Sequence, residues 1–219
     1  MTDKAQNWHN GCSADEARNS FVIPKIIELI SPLGAGKVGF FGCATGYIPS
    51  EVSAQLKSRS EFHLVDIDED YLNFAEGLKY GDCGVFFHNH DITLEPLKED
   101  FLDVVVISNT LLEIQLTEES VRQIVANLKL GGELVIFTPD VLSDVVSEDK
   151  TNSADILEQY STGSVHIQNK IDRFTKLPYP FLAHRNLHLI SSFLRSGLVL
   201  SEIEFGAKGN QYIMLKFRR

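Results

Sequence analysis

The sequence predicts an α/β fold: a doubly wound, mostly parallel sheet of seven strands with an antiparallel last strand, in a single domain over residues 1–219. Three observations predict it. Short apolar runs alternate with helical stretches in steps of roughly 30 residues, as in consecutive βαβ units. The first run, Val38–Phe41, enters a turn of small residues, Gly42-Cys43-Ala44-Thr45-Gly46, and the second, Phe62–Val65, ends in Asp66. A strand, a glycine turn opening a helix, and an acid tipping the next strand is how an open sheet holds a nucleoside ligand. The last two runs, Leu198–Glu204 and Tyr212–Phe217, are separated by a few residues around Lys208-Gly209-Asn210, which predicts an antiparallel pair.

The elements follow in order. A helix is expected over Ala14–Ile30, where Ala17, Phe21, Ile23, Ile26, Ile27 and Ile30 recur at helical spacing. Ser13 and Glu16 have the spacing of a capping box. Ser31–Gly36 is a Pro/Gly linker into the first strand. Ile48–Leu56 and Glu69–Leu78 are the next helices. Val85–Phe87 is a short third strand, and Phe101–Ile107 a fourth, nearly all apolar, as a strand covered on both faces is. Glu118–Leu130 is a helix ended by Gly131-Gly132, and Leu134–Phe137 is the fifth strand. Beyond Pro139 the alternation stops. Asp140–Ser164 is polar and reads as helix and loop, and Val165–Phe174 as a strand or half of a hairpin. Lys176–Phe181, with Pro178 and Pro180, reads as extended loop. Leu187–Ser196 is a helix with Gly197 as its stop. Residues 1–36 are expected to form an N-terminal helical cap, and residues 139–185 an insertion over the substrate side.

Composition narrows the function classes. A chain of 219 residues with 43% hydrophobic content fits one domain with a substantial core. The net charge of −10 argues against a nucleic-acid groove and against an anionic membrane surface. Met1–Ser20 is polar throughout, unlike a signal peptide, and no apolar run approaches the ~18 to 20 residues of a membrane span. Cys12, Cys43 and Cys83 lack CxxC spacing, so no disulfide framework or metal site is expected. A cytoplasmic monomer or homodimer is the expectation.

The turn itself argues against two ligands. A dinucleotide site expects G-x-G-x-x-G, but the spacing here is Gly42, Ala44, Gly46, with Tyr47 in place of the third glycine. Gly34-Ala35-Gly36-Lys37 fails as a phosphate loop, because Ser31 replaces its first glycine and Val38 follows the lysine.

Five segments in order carry a resemblance. They are Gly42-Cys43-Ala44-Thr45-Gly46, Val65-Asp66-Ile67-Asp68, His90-Asp91-Ile92, Ser108-Asn109-Thr110-Leu111-Leu112-Glu113 and Leu128-Lys129-Leu130-Gly131-Gly132. Together they resemble the G-C-G-T-G, V-D-I-S, D-[IL], S-N-x-x-L-E and L-K-P-G-G segments of the class I S-adenosylmethionine-dependent methyltransferases, the small-molecule branch in particular. That family has a Rossmann-like sheet ending in an antiparallel strand pair. The resemblance implies S-adenosylmethionine as cofactor, with Gly42, Cys43, Ala44 and Gly46 facing its methionine part. Asp66 would hold the ribose, with Ile67 beside it, and Asp91 the adenine amino group, with Ile92 near the ring. Asn109 completes the set. Two departures stand out. Phe40 occupies a position where the family usually has an acid that helps hold the cofactor's amino group, and Ala44 replaces the central glycine.

Methyl transfer asks the protein for alignment and, with a hydroxyl acceptor, for a base. His184 is the first candidate: Phe181-Leu182-Ala183-His184-Arg185-Asn186-Leu187 resembles the family's F-x-x-H-R-P-L segment beside the substrate pocket, and histidine accepts protons near neutral pH. Glu113, just past the fourth strand, is the second. Each also has a structural reading, as a loop-holding histidine and as a solvated carboxylate. Tyr47 and Tyr179 are candidate pocket walls. Trp8 is a further substrate candidate and, with His9 and Arg18, precedes or opens the N-terminal helix that often lids the cofactor in this family. His88 and His90 flank a strand end with no third metal ligand in view. The expected function is methylation of an oxygen or nitrogen of a small organic molecule. The alternatives are non-methyl chemistry on bound S-adenosylmethionine, such as a cyclisation, and a non-catalytic binding protein on the same scaffold.

Overall fold

A computed structural model describes residues 3–139, 164–171, 178–184, 186–206 and 212–219. Its strands are β1 (Lys37–Phe41), β2 (Glu61–Asp66), β3 (Gly84–Asn89), β4 (Leu102–Ser108), β5 (Leu128–Pro139), β6 (Ser164–Ile171), β7 (Pro178–His184), β8 (Val199–Phe205) and β9 (Tyr212–Arg218). Seven of them form one sheet ordered β3-β2-β1-β4-β5-β9-β8, while β6 and β7 pair separately. Within the large sheet β9 runs antiparallel to both β5 and β8, and the other pairs are parallel. The chain steps outward from β1 to β3 and then returns to the other side of β1 for β4. That reversal opens a crevice at the carboxyl ends of β1 and β4, where open α/β sheets bind ligands.

Two apolar layers explain why the central strands are apolar throughout. Successive side chains on a strand face opposite ways. Val38, Phe40, Val104, Val106 and Phe137 pack on one face with Phe21, Val22, Ile26 and Ile30. Phe41, Val105, Ile107, Leu134 and Ile136 pack on the other with Val121, Ile124, Leu189 and Phe193. The helices supplying these layers are α1 (Asp3–Ser13), α2 (Ile23–Ile30), α3 (Tyr47–Gln55), α4 (Glu69–Glu76), α5 (Glu118–Ala126) and α6 (Asn186–Arg195).

Several expectations are corrected. The helix expected over Ala14–Ile30 runs over residues 16–30, but it is not regular and does not open the chain. α1 precedes it, and a π-helical turn at Arg18–Val22 leads into α2. Ser13 does not cap: its hydroxyl donates to the Asn10 carbonyl at 2.9 Å. Asp15 takes that place, accepting the Arg18 N–H at 3.0 Å. The wider π turn lets Phe21, Val22 and Ile23 all be buried in succession. α5 ends at Ala126 rather than Leu130, because buried Asn127 turns its amide onto the Gln123 carbonyl at 2.9 Å and accepts Leu97 N–H at 2.8 Å. Gly131-Gly132 therefore lies inside β5, where the register slips between Leu102–Leu128 and Val104–Glu133. A Cβ on Gly132 would stand 2.9 Å from the Lys129 carbonyl oxygen.

Lys176–Phe181 is not loop throughout, since residues from Pro178 onward pair with β6 in an antiparallel ribbon. The ribbon's irregularity falls between Ile167 and Lys170, opposite Pro180, which has no N–H to give. The expected elements over 140–163 and 172–174 lie outside the described residues.

Candidate active site

The turn after β1 closes through backbone in the left-handed region at Gly42, Ala44 and Gly46, with φ of 67°, 46° and 71°. A Cβ on Gly42 would overlap the Thr110 side chain, and one on Gly46 would stand 2.8 Å from Ala75 Cβ. Ala44 tolerates its φ with an anchored amide: its N–H donates to Asp66 Oδ2 at 2.7 Å. The Gly42 and Cys43 N–H groups both donate to the Val65 carbonyl, at 2.8 and 3.0 Å, and Gly46 N–H to the Cys43 carbonyl at 3.0 Å. These four donors are all engaged inside the protein, so the turn is no nest for a diphosphate. It suits a ligand whose charge lies elsewhere. Burial pushes the Cys43 thiol well up, which keeps it neutral and unreactive.

Asp66 sits at the tip of β2. Its Oδ1 accepts Asp68 N–H at 3.0 Å. Each carboxylate oxygen thus takes one backbone donor and retains a second lone pair for a ligand hydroxyl. Burial raises its pKa, while the N–H bonds from Asp68 and Ala44 pull the other way. Ile67, next along, is 70% exposed, an apolar surface at the rim for a flat ring. Asp91 accepts the Thr93 N–H at 2.9 Å and the Thr93 hydroxyl at 2.6 Å, fixing the turn after β3. Ile92 is 5% exposed and packs into the core with Phe41 and Val65. Phe40 faces the opposite layer, edge-on to Phe62 at 4.9 Å, and so presents nothing polar to the rim.

The N-terminal helix lies over this end of the sheet. Lys4 pairs with Asp68 at 2.5 Å and sits 4.5 Å over the Tyr71 ring. Trp8 packs on Tyr71 at 5.8 Å, and His9 on Phe74 at 4.9 Å and Tyr47 at 5.5 Å. His9 Nδ1 is 3.5 Å from the Thr45 hydroxyl. The Tyr47 hydroxyl donates to Asn19 Oδ1 at 2.9 Å. α1, α3 and α4 thereby hold Trp8 and Tyr47 in the seam beside the glycine turn.

At the end of β4, Asn109 takes a left-handed φ of 64°. Its side chain donates to the Tyr212 hydroxyl at 2.9 Å, which reaches Asp15 Oδ2 at 3.5 Å. Thr110 Oγ1 donates to the Phe41 and Gly42 carbonyls at 3.1 and 3.3 Å, tying this turn to the glycine turn. A 3₁₀ turn, Thr110–Leu112, leads to exposed Glu113. β7, which carries Tyr179 and ends at His184, lies against that 3₁₀ turn. The backbone thus brings the strand bearing Tyr179 and His184 and the turn bearing Glu113 to one side of the crevice.

Sequence reading misses the network of Asp15, Arg18, Asn109 and Tyr212. No local signal joins residues up to 197 positions apart, and Tyr212 reads only as a strand start. Two other features lie away from the rim. His63 Nδ1 and His88 Nε2 are 3.0 Å apart between β2 and β3, with Glu61 2.8 Å from His63 Nε2. No group of three or more His, Cys, Asp or Glu side chains among the described residues is placed to hold a metal ion. A cleft of about 480 Å³ opens at the opposite, amino-terminal edge of the sheet. Its three lysines are answered within the protein, Lys25 by Glu204 at 2.8 Å, Lys129 by Asp103 at 2.7 Å and Lys216 by Glu133 at 3.2 Å, so the rim remains the better ligand site.

The rim fits S-adenosylmethionine on three counts: the spare lone pairs of Asp66, the exposed Ile67 beside it, and a turn without free phosphate donors. Comparison with known proteins agrees. Residues 41–178, well over half of the chain, match a family model described as a methyltransferase domain. No curated protein sequence matches the chain. A SAM-dependent methyltransferase from Aquifex aeolicus has a similar crystal structure, with a TM-score of 0.64 at 12% identity, covering 100% of this chain and 99% of its own. An S-adenosylmethionine-dependent methyltransferase from Mesorhizobium loti gives 0.63 at 15%, covering 89% and 96%. The N-methyltransferase NodS from Bradyrhizobium japonicum gives 0.59 at 14%, covering 93% and 97%. At these identities the likeness concerns the fold. With the family model and the rim's geometry, it leads to one conclusion: the chain belongs to the class I S-adenosylmethionine-dependent methyltransferases, and S-adenosylmethionine is its cofactor.

Proposed function

We propose that this enzyme methylates an oxygen or nitrogen of a small organic molecule. The observation that carries the reading is the β6–β7 ribbon lying against the Thr110–Leu112 turn. A ribbon inserted there covers the acceptor side of the crevice, as an enclosed small substrate requires. The net charge of −10 supports the same reading by disfavouring nucleic acid.

Bound S-adenosylmethionine supplies an activated methyl group. The protein's part is to hold and align. Asp66 accepts the ribose hydroxyls, Ile67 and Ile92 border the adenine, and Asp91 accepts its amino group. Gly42, Cys43, Ala44, Gly46 and Asn109 line the methionine end. Trp8, Tyr47 and Tyr179 wall the acceptor space and exclude water. His184, with Glu113 as the second candidate, takes the proton released when a hydroxyl acceptor is methylated. In this reading residues 1–219 are one domain, with 1–36 and 139–185 as its caps, working in the cytoplasm as a monomer or homodimer. No helix among the described residues is long and apolar enough to cross a membrane.

The test is incubation with methyl-labelled S-adenosylmethionine and, separately, dialysed small metabolites, RNA and protein. Label is expected in the dialysable fraction, with His184→Ala slowing turnover more than it weakens cofactor binding. Label retained on RNA or protein contradicts the reading.

A further inference from the structure

The carboxyl end of β4 carries a side chain whose orientation is set from distant parts of the chain. The Asn109 backbone is fixed locally: its N–H donates to the Phe137 carbonyl at 2.9 Å, and its carbonyl accepts Leu112 N–H at 3.0 Å. The side-chain amide is fixed elsewhere, since Nδ2 donates to the Tyr212 hydroxyl at 2.9 Å. Asn109 Oδ1 is buried and has no hydrogen-bond partner among the described residues. Leaving a buried amide oxygen without a donor is costly. An acceptor held bare beside the glycine turn is a group kept for a ligand.

Tyr212 decides which end of that amide stays bare. It pairs with Pro139 at the carboxyl end of β5, and its hydroxyl reaches across that end to Asn109. A phenol hydroxyl has one proton to give. Asp15 Oδ2, an acceptor, stands 3.5 Å away and takes it. The Arg18 guanidinium can only donate; it hydrogen-bonds the same hydroxyl and pairs with Asp15 Oδ2 at 3.9 Å. With its proton committed to Asp15, the hydroxyl is left to accept from Asn109. The NH₂ end of the amide therefore faces Tyr212, and Oδ1 is the end left over. Turning the amide over would set oxygen against an oxygen with no proton to share. Arg18 and Tyr212 are 5% and 6% exposed, so bulk water competes little for these bonds.

We propose that Tyr212 is a positioning residue for the methyl-transfer site: oriented by Asp15 and Arg18, its hydroxyl locks the Asn109 amide so that Oδ1 is presented to the methionine end of the bound cofactor. Tyr212 touches no ligand itself and acts through Asn109. The proposal rests on the methyl-donor reading of the site. It also gives the N-terminal segment and the last strand a part in cofactor binding, because the hydroxyl that sets the amide belongs to β9 and the groups that set the hydroxyl precede α2.

Titration calorimetry on the full chain tests it in wild type, Tyr212→Phe, Asn109→Ala and the double variant. The probes are S-adenosylhomocysteine, which carries the amino-acid tail, and methylthioadenosine, which lacks it. Tyr212→Phe is expected to lose about two- to tenfold in S-adenosylhomocysteine affinity, the range of one misplaced hydrogen bond. It should keep its methylthioadenosine affinity, which also shows that the variant is folded. Introduced into Asn109→Ala, Tyr212→Phe should cost nothing further, because the amide it holds is already gone. The proposal is overturned if Tyr212→Phe binds S-adenosylhomocysteine as wild type does. It is equally overturned if the variant loses both nucleosides together, which marks the hydroxyl as a brace of the fold, or if its loss adds in full to that of Asn109→Ala, which separates it from the amide. Wild type binding neither nucleoside refutes the underlying methyl-donor reading, and the proposal with it.

Discussion

Two residues set the shape and the charge of the cofactor turn. Gly42 combines a left-handed φ of 67° with a Cβ direction filled by Thr110. Gly42→Ala is expected to cost about 1–2 kcal/mol from the backbone alone, and more from displacing Thr110. A lower thermal midpoint, with weaker cofactor binding, checks it; an unchanged midpoint contradicts the turn geometry. Asp66 makes the second prediction. Burial holds its carboxyl above the ordinary value of 3.8, and only the ionised form accepts from two ribose hydroxyls. Affinity for S-adenosylhomocysteine should therefore decline on acidification while ordinary surface aspartates are still charged. The sign for folding is opposite. The native state binds this proton more tightly than the unfolded chain, so protonating Asp66 favours the empty fold. Calorimetry across acid pH, with Asp66→Asn as the pH-insensitive control, tests both.

Among the elements, the β2–β3 pair carries a titration of its own. His63 and His88 stack at 5.2 Å and share a hydrogen bond, which requires one neutral ring nitrogen as acceptor. Burial lowers both pKa values; Glu61 opposes the shift at His63 and the neighbouring imidazoles reinforce it at His88. As pH falls through about 6.5, the unfolded chain takes up protons that the folded chain resists, so stability drops in that window. The denaturant midpoint should fall between roughly pH 8 and pH 5.5, and fall less in the His63→Gln/His88→Gln double variant. Equal slopes in both proteins would rule the pair out as the cause.

Element by element, the strands were legible where burial on both faces made the sequence continuously apolar, as in β4, and where a turn motif marked the end, as at Gly42 and Asp66. α1 was not, because its sequence is mostly polar and it packs through Trp8 and His9 onto other helices rather than through an apolar stripe. Gly131-Gly132 looked like a helix stop because local sequence does not distinguish a C-cap from a strand irregularity. The Asp15–Arg18–Asn109–Tyr212 network stayed hidden because only the folded sheet brings its members together.

At the scale of the whole molecule, the crevice follows from topology more than from any one residue. The reversal of strand order between β1 and β4 leaves the carboxyl ends open, and the N-terminal helix covers the β2 side through Lys4–Asp68 and Trp8–Tyr71. A ligand seated there touches both halves of the sheet and the cap, so its binding should stabilise the fold as a unit. At a concentration about 100 times its dissociation constant, S-adenosylhomocysteine should add roughly 2.7 kcal/mol. For a domain of this size that is a rise of about 5–10 °C in thermal midpoint. A scan with and without ligand measures it, and a shift confined to a partial transition would contradict a single cooperative unit.

The most direct test is titration calorimetry of S-adenosylhomocysteine into wild type and Asp66→Asn side by side. The account predicts saturable one-to-one binding by wild type. The variant should lose about 1.5–3 kcal/mol, roughly ten- to 150-fold in affinity, because a carboxylate accepting from the sugar becomes a neutral amide. Equal affinity in the two proteins would contradict a ribose held by the acid at the tip of β2.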